Sequence, residues 1–278
     1  MCVKRGQMMN ELCVTISMED CFPKALVVFK GIEKNLSAIK DLGYDGIELA
    51  LYRKDNIDVK ALKKLIDEYG LQIPVISTGQ MFTMLNVWFT HTDSKVREKA
   101  VEEFKGIIDV AAEFGADINV SRVRGYIDEN DTLDEGLKKL TECLYEVCEY
   151  AKSYNRDILL EQMNRFETNY LCSVKDVGKY IKSLKIPNLK IHADLFHMNI
   201  EDVDIYDTLK EYKDHIGYIH FCDSNRLAPG KGHLDFYRTL KTMDEIKYGG
   251  WIGLEVLPEP DPYTAAKDSI DYLRTIKI

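Results

Sequence analysis

The chain has 278 residues, 45% of them hydrophobic and 30% charged, with 17 Gly and 7 Pro, a globular composition that excludes disordered, collagen-like and coiled-coil proteins. Its 37 basic and 46 acidic side chains leave a net charge of −9, which gives a phosphate backbone or an anionic membrane nothing to bind electrostatically. The 7 cysteines, at positions 2, 13, 21, 143, 148, 172 and 222, are odd in number and never spaced as C-x-x-C, so neither a disulfide framework nor a structural zinc site is expected.

The opening MCVKRGQMMNELCV lacks a continuous apolar stretch and a small-residue cleavage site, and no later run reaches the roughly 18 apolar residues of a membrane span. A cytoplasmic, unprocessed protein is expected. Strand candidates then follow in order: Leu12 to Ile16, Gly46 to Leu51, Ile73 to Ser77, Asp117 to Ser121, Asp157 to Glu161, Leu189 to Asp194, Ile216 to Cys222 and Trp251 to Val256. Most are continuous and β-branched, as strands covered on both faces should be. Helical periodicity lies between them, with Val59, Leu62, Leu65, Ile66 and Tyr69 on one face, Leu137, Leu140, Leu144, Val147 and Ala151 on another, and Val174, Val177, Ile181 and Leu184 on a third. Asp93 or Ser94 is a fitting N-cap for the longest helix, and Gly43, Gly70 and Gly115 each end a helix just before a strand. Eight such alternations with no linker predict an α/β fold, a single (β/α)8 TIM barrel over residues 1–278.

In such a barrel, catalytic groups gather at the carboxyl ends of the strands. DILLE ends at Glu161, LKIHAD ends at Asp194, GYIHFCDSN carries His220 and WIGLEV carries Glu255. Three carboxylates and an imidazole on successive strands would converge on one mouth, where like charges crowd together only if a cation or a proton offsets them. Their mixed oxygen and nitrogen donors suit a single divalent ion, and Mn2+, Mg2+, Co2+ and Zn2+ all stay open. Singly, each has a plainer reading as a solvated strand-end charge, a helix cap or a core histidine. Past the fourth strand, SRVRG carries Arg122 and Arg124, and an arginine there can hold a carboxylate bidentately. Phe82, Trp88 and Phe89 form either an apolar lid or barrel packing. GKG at Gly230 to Gly232 lacks phosphate-loop spacing and reads as a flexible turn with Lys231 near the mouth.

The segments EQMNRFETN, HADLFHMNIED, YIHFCDSNRLAPGKGHLDF and GLEVLP resemble those of the xylose isomerase-like barrels. Within that sugar isomerase and epimerase family the chain is most similar to the ketose 3-epimerase group, which includes the D-tagatose and D-psicose 3-epimerases and 5-keto-L-gluconate epimerase. FKGIEKNL, GYDGIELA and STGQMF resemble the keto-acid epimerase more than the neutral-sugar enzymes. The resemblance implies metal ligands at Glu161, Asp194, His220 and Glu255, the same four reached from strand ends, and substrate contacts at Glu167, His197 and Arg226.

It also implies an isomerase, a metal-dependent epimerase of a keto-sugar or keto-sugar acid. Glu161 and Glu255 would act as acid and base on opposite faces of a flat enediolate, with His197 and Arg226 adding donors to its oxyanion. The keto-acid epimerases carry a VRG segment similar to the one at Arg122 and Arg124, so a keto-uronate such as 5-keto-L-gluconate or D-tagaturonate is the expected substrate. A neutral ketose 3-epimerase and an aldose-ketose isomerase are the alternatives. Abasic-site endonucleases share the barrel but would need further histidines on early strand ends, where Leu51, Tyr52, Thr78, Gly79 and Gln80 stand instead. A non-catalytic sugar-binding barrel would have no use for the glutamate pair. The expected partner is a small-molecule sugar or sugar acid, with no nucleic acid and no membrane; a homo-oligomer is left open.

Overall fold

The computed structural model describes residues 10–278, so Cys2 and most of the stretch read for a leader lie outside the described residues. Eight strands form where the apolar runs lie: β1 Leu12–Ser17, β2 Gly46–Ala50, β3 Val75–Ser77, β4 Asp117–Val120, β5 Ile158–Glu161, β6 Leu189–Asp194, β7 Ile216–Phe221 and β8 Ile252–Leu254. Each pairs in parallel with the next, and β8 closes on β1 through Leu12 opposite Ile252 and Val14 opposite Leu254. The sheet is therefore a closed parallel barrel, as the alternation predicts. A two-residue strand, Phe29–Lys30, lies beside the end of β1; it is too short for periodicity to reveal.

Side chains alternate between the two faces of each strand, and this parity decides what the barrel encloses. One parity faces the helices and is apolar: Val14 and Ile16, Ile47 and Leu49, Ile118 and Val120, Ile158 and Leu160 all join the main core. The other parity fills the interior. Its lowest described layer is Cys13, Val75, Leu159 and Tyr218, one from each odd-numbered strand, the alternate-strand layering of this fold. Adding two to those numbers gives Thr15, Ser77, Glu161 and His220, one step nearer the mouth. The even-numbered strands supply Glu48, Asn119, His192 and Gly253, and two residues further on Ala50, Ser121, Asp194 and Glu255. All four expected ligands thus share the inward parity at the carboxyl ends.

The surrounding helices are α1 Ile32–Leu42, α2 Val59–Tyr69, α3 Gly79–Leu85, α4 Ser94–Phe114, α5 Leu133–Lys152, α6 Val174–Leu184, α7 Leu195–Glu201, α8 Ile205–Tyr212, α9 Phe236–Glu245 and α10 Pro262–Thr275. Of the two cap candidates for α4 it is Asp93 that caps, its side chain accepting from the Lys95 amide at 2.9 Å. Gly43, Gly70 and Gly115 adopt left-handed φ values of 88°, 57° and 68° that end α1, α2 and α4, a conformation that costs glycine nothing. The short α3 and α7, which the periodicity does not announce, follow β3 and β6 directly and bring Gln80 and His197 to the mouth. Among the described residues no helix is long and apolar enough to cross a membrane.

Candidate metal centre and active site

Glu161, Asp194, His220 and Glu255 each offer one donor atom, and these atoms lie within 4.8 Å of one another. His220 Nδ1 is at the centre, 3.8 Å from Glu161 Oε1, 3.6 Å from Asp194 Oδ2 and 3.7 Å from Glu255 Oε2. Asp194 does two things at once. Its Oδ1 accepts from the Phe196 and His197 amides at 2.7 and 3.2 Å and so caps α7, which leaves Oδ2 free. That Oδ2 and His220 Nδ1 are buried without any hydrogen-bond partner, although buried polar atoms are nearly always satisfied.

The electrostatics point the same way. Burial is the largest influence on Glu161 and Glu255, pushing the first well up and the second up to about 7, with the neighbouring carboxylates adding to the shift. Burial would also raise Asp194, but His197, Arg226 and His220 together hold it well below the usual carboxylate range. Burial pushes His197 itself down to about 4, so it is neutral near pH 7 and Arg226 supplies the lasting charge. Three carboxylates, two buried and Glu255 partly so, crowd around one imidazole, and they can all ionise together only where a further cation offsets them, as a divalent ion on the orphaned atoms would. The residues fit the oxygen and nitrogen shell the sequence suggests.

A second row of side chains aims these groups. His220 Nε2 lies 2.6 Å from Glu48 Oε2, which also accepts from the Tyr218 hydroxyl at 2.7 Å. With Nε2 donating, Nδ1 keeps its lone pair for the centre; the tautomer is assigned from these partners. Asn119 donates to Glu161 Oε2 at 3.1 Å, and Gln162 bridges to the Asp194 backbone through its Oε1 and Nε2. Asn164 donates to His197 Nδ1 at 2.7 Å, leaving the Nε2 proton for the cavity. Sequence reasoning assigned no role to Glu48, Asn119, Gln162 or Asn164. Glu48 did carry a signal, as a lone carboxylate at inward parity between Ile47 and Leu49.

A cavity of about 300 Å³ opens over this centre, at the lower end for small-molecule sites. Glu161, Glu255, Glu167, His197, Arg226 and Arg122 all line it. Arg226 holds an uncommon left-handed φ of 62° and reaches Glu255 Oε2 at 2.5 Å and Asp194 Oδ2 at 3.6 Å. Its guanidinium stacks on Phe196 at 4.5 Å. Glu167 bridges Arg122 at 3.3 Å and Arg226 at 4.0 Å; its sequence neighbour Arg165 pairs with Glu201 instead.

Two expectations need correction, those for Arg124 and Lys231, and the aromatic residues resolve to barrel packing. Arg124 does not reach the cavity: it is fully buried, donating to the carbonyls of Glu161, Tyr170 and Leu171 and packing on the Tyr170 ring at 4.4 Å. Its place just past the strand end sends it between β5 and the following loop, where it pins the backbone of Glu161. Lys231 does not line the cavity and pairs with Asp268 on α10 at 2.9 Å, while the turn around it is held by Asp223, which accepts from the Gly230 and Leu234 amides. Phe89 packs on Phe104 in the core, and Phe82 and Trp88 pack on each other and on Tyr126. None of these three aromatic residues lines the cavity.

A closed parallel barrel with one acidic and histidine quartet across its last four strands defines a class of enzyme scaffold with its site at the strand ends. The chain belongs to the xylose isomerase-like TIM barrel family, whose model matches residues 36–276. Relatives include the ketose 3-epimerase of Arthrobacter globiformis, 27% identical over 231 residues that cover 81% of this chain and 78% of that protein. Another is the 3-dehydro-D-guloside 4-epimerase of Escherichia coli (strain K12), 26% identical over 246 residues covering 85% and 92%. The apo structure of a 3-keto-D-glucoside 4-epimerase from E. coli is similar in fold, with a TM-score of 0.79 and 24% identity over 95% of this chain and 99% of that one.

Proposed function

We propose that this chain is a carbohydrate epimerase that uses one divalent ion, Mn2+ by preference, to invert a carbon beside the ketone of a keto-sugar or keto-sugar acid. The observation that carries the reading is the quartet with two buried, orphaned donor atoms, whose Glu161 and Glu255 line a small-molecule cavity. Glu161, Asp194, His220 and Glu255 would hold the ion, which when bound supplies Lewis-acid polarisation of the ketone. The two glutamates flank His220 at 3.8 and 3.7 Å. One carboxylate takes the C–H proton, the bonding pair moves into the enediolate, and the other, protonated, returns a proton to the opposite face. No net oxidation occurs. Burial raises both glutamates, Glu255 up to about 7, the direction in which a carboxyl takes up a proton more readily. His197 Nε2 and the unpartnered Nε and Nη1 of Arg226 supply donors to the developing oxyanion.

Free thiols at every described cysteine suit a reducing, cytoplasmic setting. The preferred substrate on this reading is a keto-uronate of the 5-keto-L-gluconate and D-tagaturonate type. A neutral ketose is the second reading, favoured by two observations: Arg124 is committed to backbone carbonyls, and Arg122 already faces Glu167. Incubating the Mn2+-loaded protein with a panel of ketoses and keto-uronates in deuterated water tests the proposal. One deuterium beside the ketone in an epimer is the expected result; no wash-in with any of them refutes an epimerase.

A further inference from the structure

The cavity has two chemically unlike walls. One carries the carboxylates of β5 to β8. The other, contributed by the loop after β1, the end of β3 and the start of α3, presents Lys24, Ser77 and Gln80. Three cations line the space: Arg122 faces Glu167 and Arg226 faces Glu255, whereas Lys24, exposed to solvent at the rim, has no carboxylate within ion-pair distance among the described residues. Gln80 is only 7% exposed. Its Oε1 accepts from the Phe22 amide at 3.0 Å, and its Nε2 is buried with no partner. The amide orientation follows from that contact, because only the oxygen can accept from a backbone N–H. The same bond ties the loop of Lys24 to the cavity wall, and Lys30 holds it from the other side by donating to the Pro23 carbonyl at 2.8 Å.

We propose that Lys24 and Gln80, which line the same cavity as Glu161 and Glu255, form the subsite for the anionic end of the substrate, a carboxylate. This rests on the epimerase reading and selects the keto-acid class within it. A neutral sugar would use the Gln80 donor but leave the lysine unanswered. A phosphate, with two charges and three acceptor oxygens, would call for more donors than one ammonium and one amide. A single carboxylate matches both groups.

Two variants test the proposal. Lys24→Met removes the countercharge. Gln80→Glu keeps an acceptor for the Phe22 amide while setting a negative charge where the donor stood. The ratio of kcat/KM for D-tagaturonate over D-tagatose should fall about 10- to 100-fold in Lys24→Met, the scale of a charge-assisted contact, and at least as far in Gln80→Glu. Lys24→Arg should retain most of the ratio. Binding of D-gluconate, an acid without a ketone, gives a readout independent of turnover: its Kd should rise by the same factor in Lys24→Met. An unchanged ratio with unchanged gluconate binding overturns the subsite, as does a wild-type protein that binds no gluconate or that prefers phosphorylated sugars to keto-acids. Deuterium wash-in with neutral ketoses would then still support the epimerase, so the two failures are separable.

Discussion

Replacing Glu48 with Gln perturbs the metal centre without replacing any proposed ligand. In the native protein Glu48 Oε2 sits 2.6 Å from His220 Nε2 and accepts from Tyr218 at 2.7 Å, with no exposure to solvent. A glutamine can place its carbonyl where Oε2 lies, so the shape survives. The charge-assisted hydrogen bond becomes a neutral one of about half the strength, and the imidazole is a weaker donor to an ion. Losing such an outer partner costs about 10- to 100-fold in metal affinity, or about 1.4 to 2.7 kcal/mol. Glu48 Oε1 has no partner, so the new amino group would be buried unsatisfied and fold stability should fall by about 1 to 3 kcal/mol. Calorimetric titration of Mn2+ into chelator-stripped protein reads the first effect and thermal melting the second. Turnover at saturating Mn2+ should recover to within several-fold of wild type. Tyr218→Phe, which leaves the contact between His220 and Glu48, should shift affinity less. A folded Glu48→Gln protein with wild-type Mn2+ affinity would refute the orienting role.

Chelation should abolish turnover and one equivalent of Mn2+ per chain should restore it, as elemental analysis and activity would record; three ions per chain would contradict the single quartet. Glu161→Gln and Glu255→Gln should each lower turnover at least about 10²-fold, the scale for a positioned acid or base. Solvent deuterium wash-in started from each epimer should differ between those two variants. Arg124→Met should destabilise the fold by about 3 kcal/mol, because three carbonyls lose a charged donor, while acid and neutral substrates suffer alike; a selective loss of acid turnover would return Arg124 to substrate binding. Gly253→Ala would set a Cβ 2.1 Å from the Tyr218 hydroxyl and 2.9 Å from His220, so metal affinity should drop through displacement of the Glu48 contacts, measurable by the same titration.

The residues legible from sequence and those that were not differ in one physical respect. Glu161 and Asp194 close apolar strands, and His220 and Glu255 stand on the last two, and in a parallel barrel the carboxyl end is where polar inward side chains meet. Parity then carries the argument, since each candidate ligand lies two residues beyond an interior position: 159 to 161, 192 to 194, 218 to 220 and 253 to 255. Glu48 obeys the same parity from the middle of β2 but was hidden, because a period of two says which face a residue takes and not which strand's layer it meets across the barrel. The contact of Glu48 with His220 spans 172 positions in the chain, and only closure of the barrel creates it. Arg124 misled for a related reason. Its number places it past the end of β4, yet a loop residue has no parity, and the turn that follows Ser121 drives its guanidinium into the protein. Lys24 and Gln80 also lie in segments without strand periodicity, and what marks them is complementary: one exposed cation without a carboxylate and one buried amide without an acceptor, both lining the cavity that Glu161 and Glu255 line. Strand parity therefore locates the chemistry on the ketone, whereas recognition of the rest of the sugar depends on loops, whose side-chain directions the sequence does not announce.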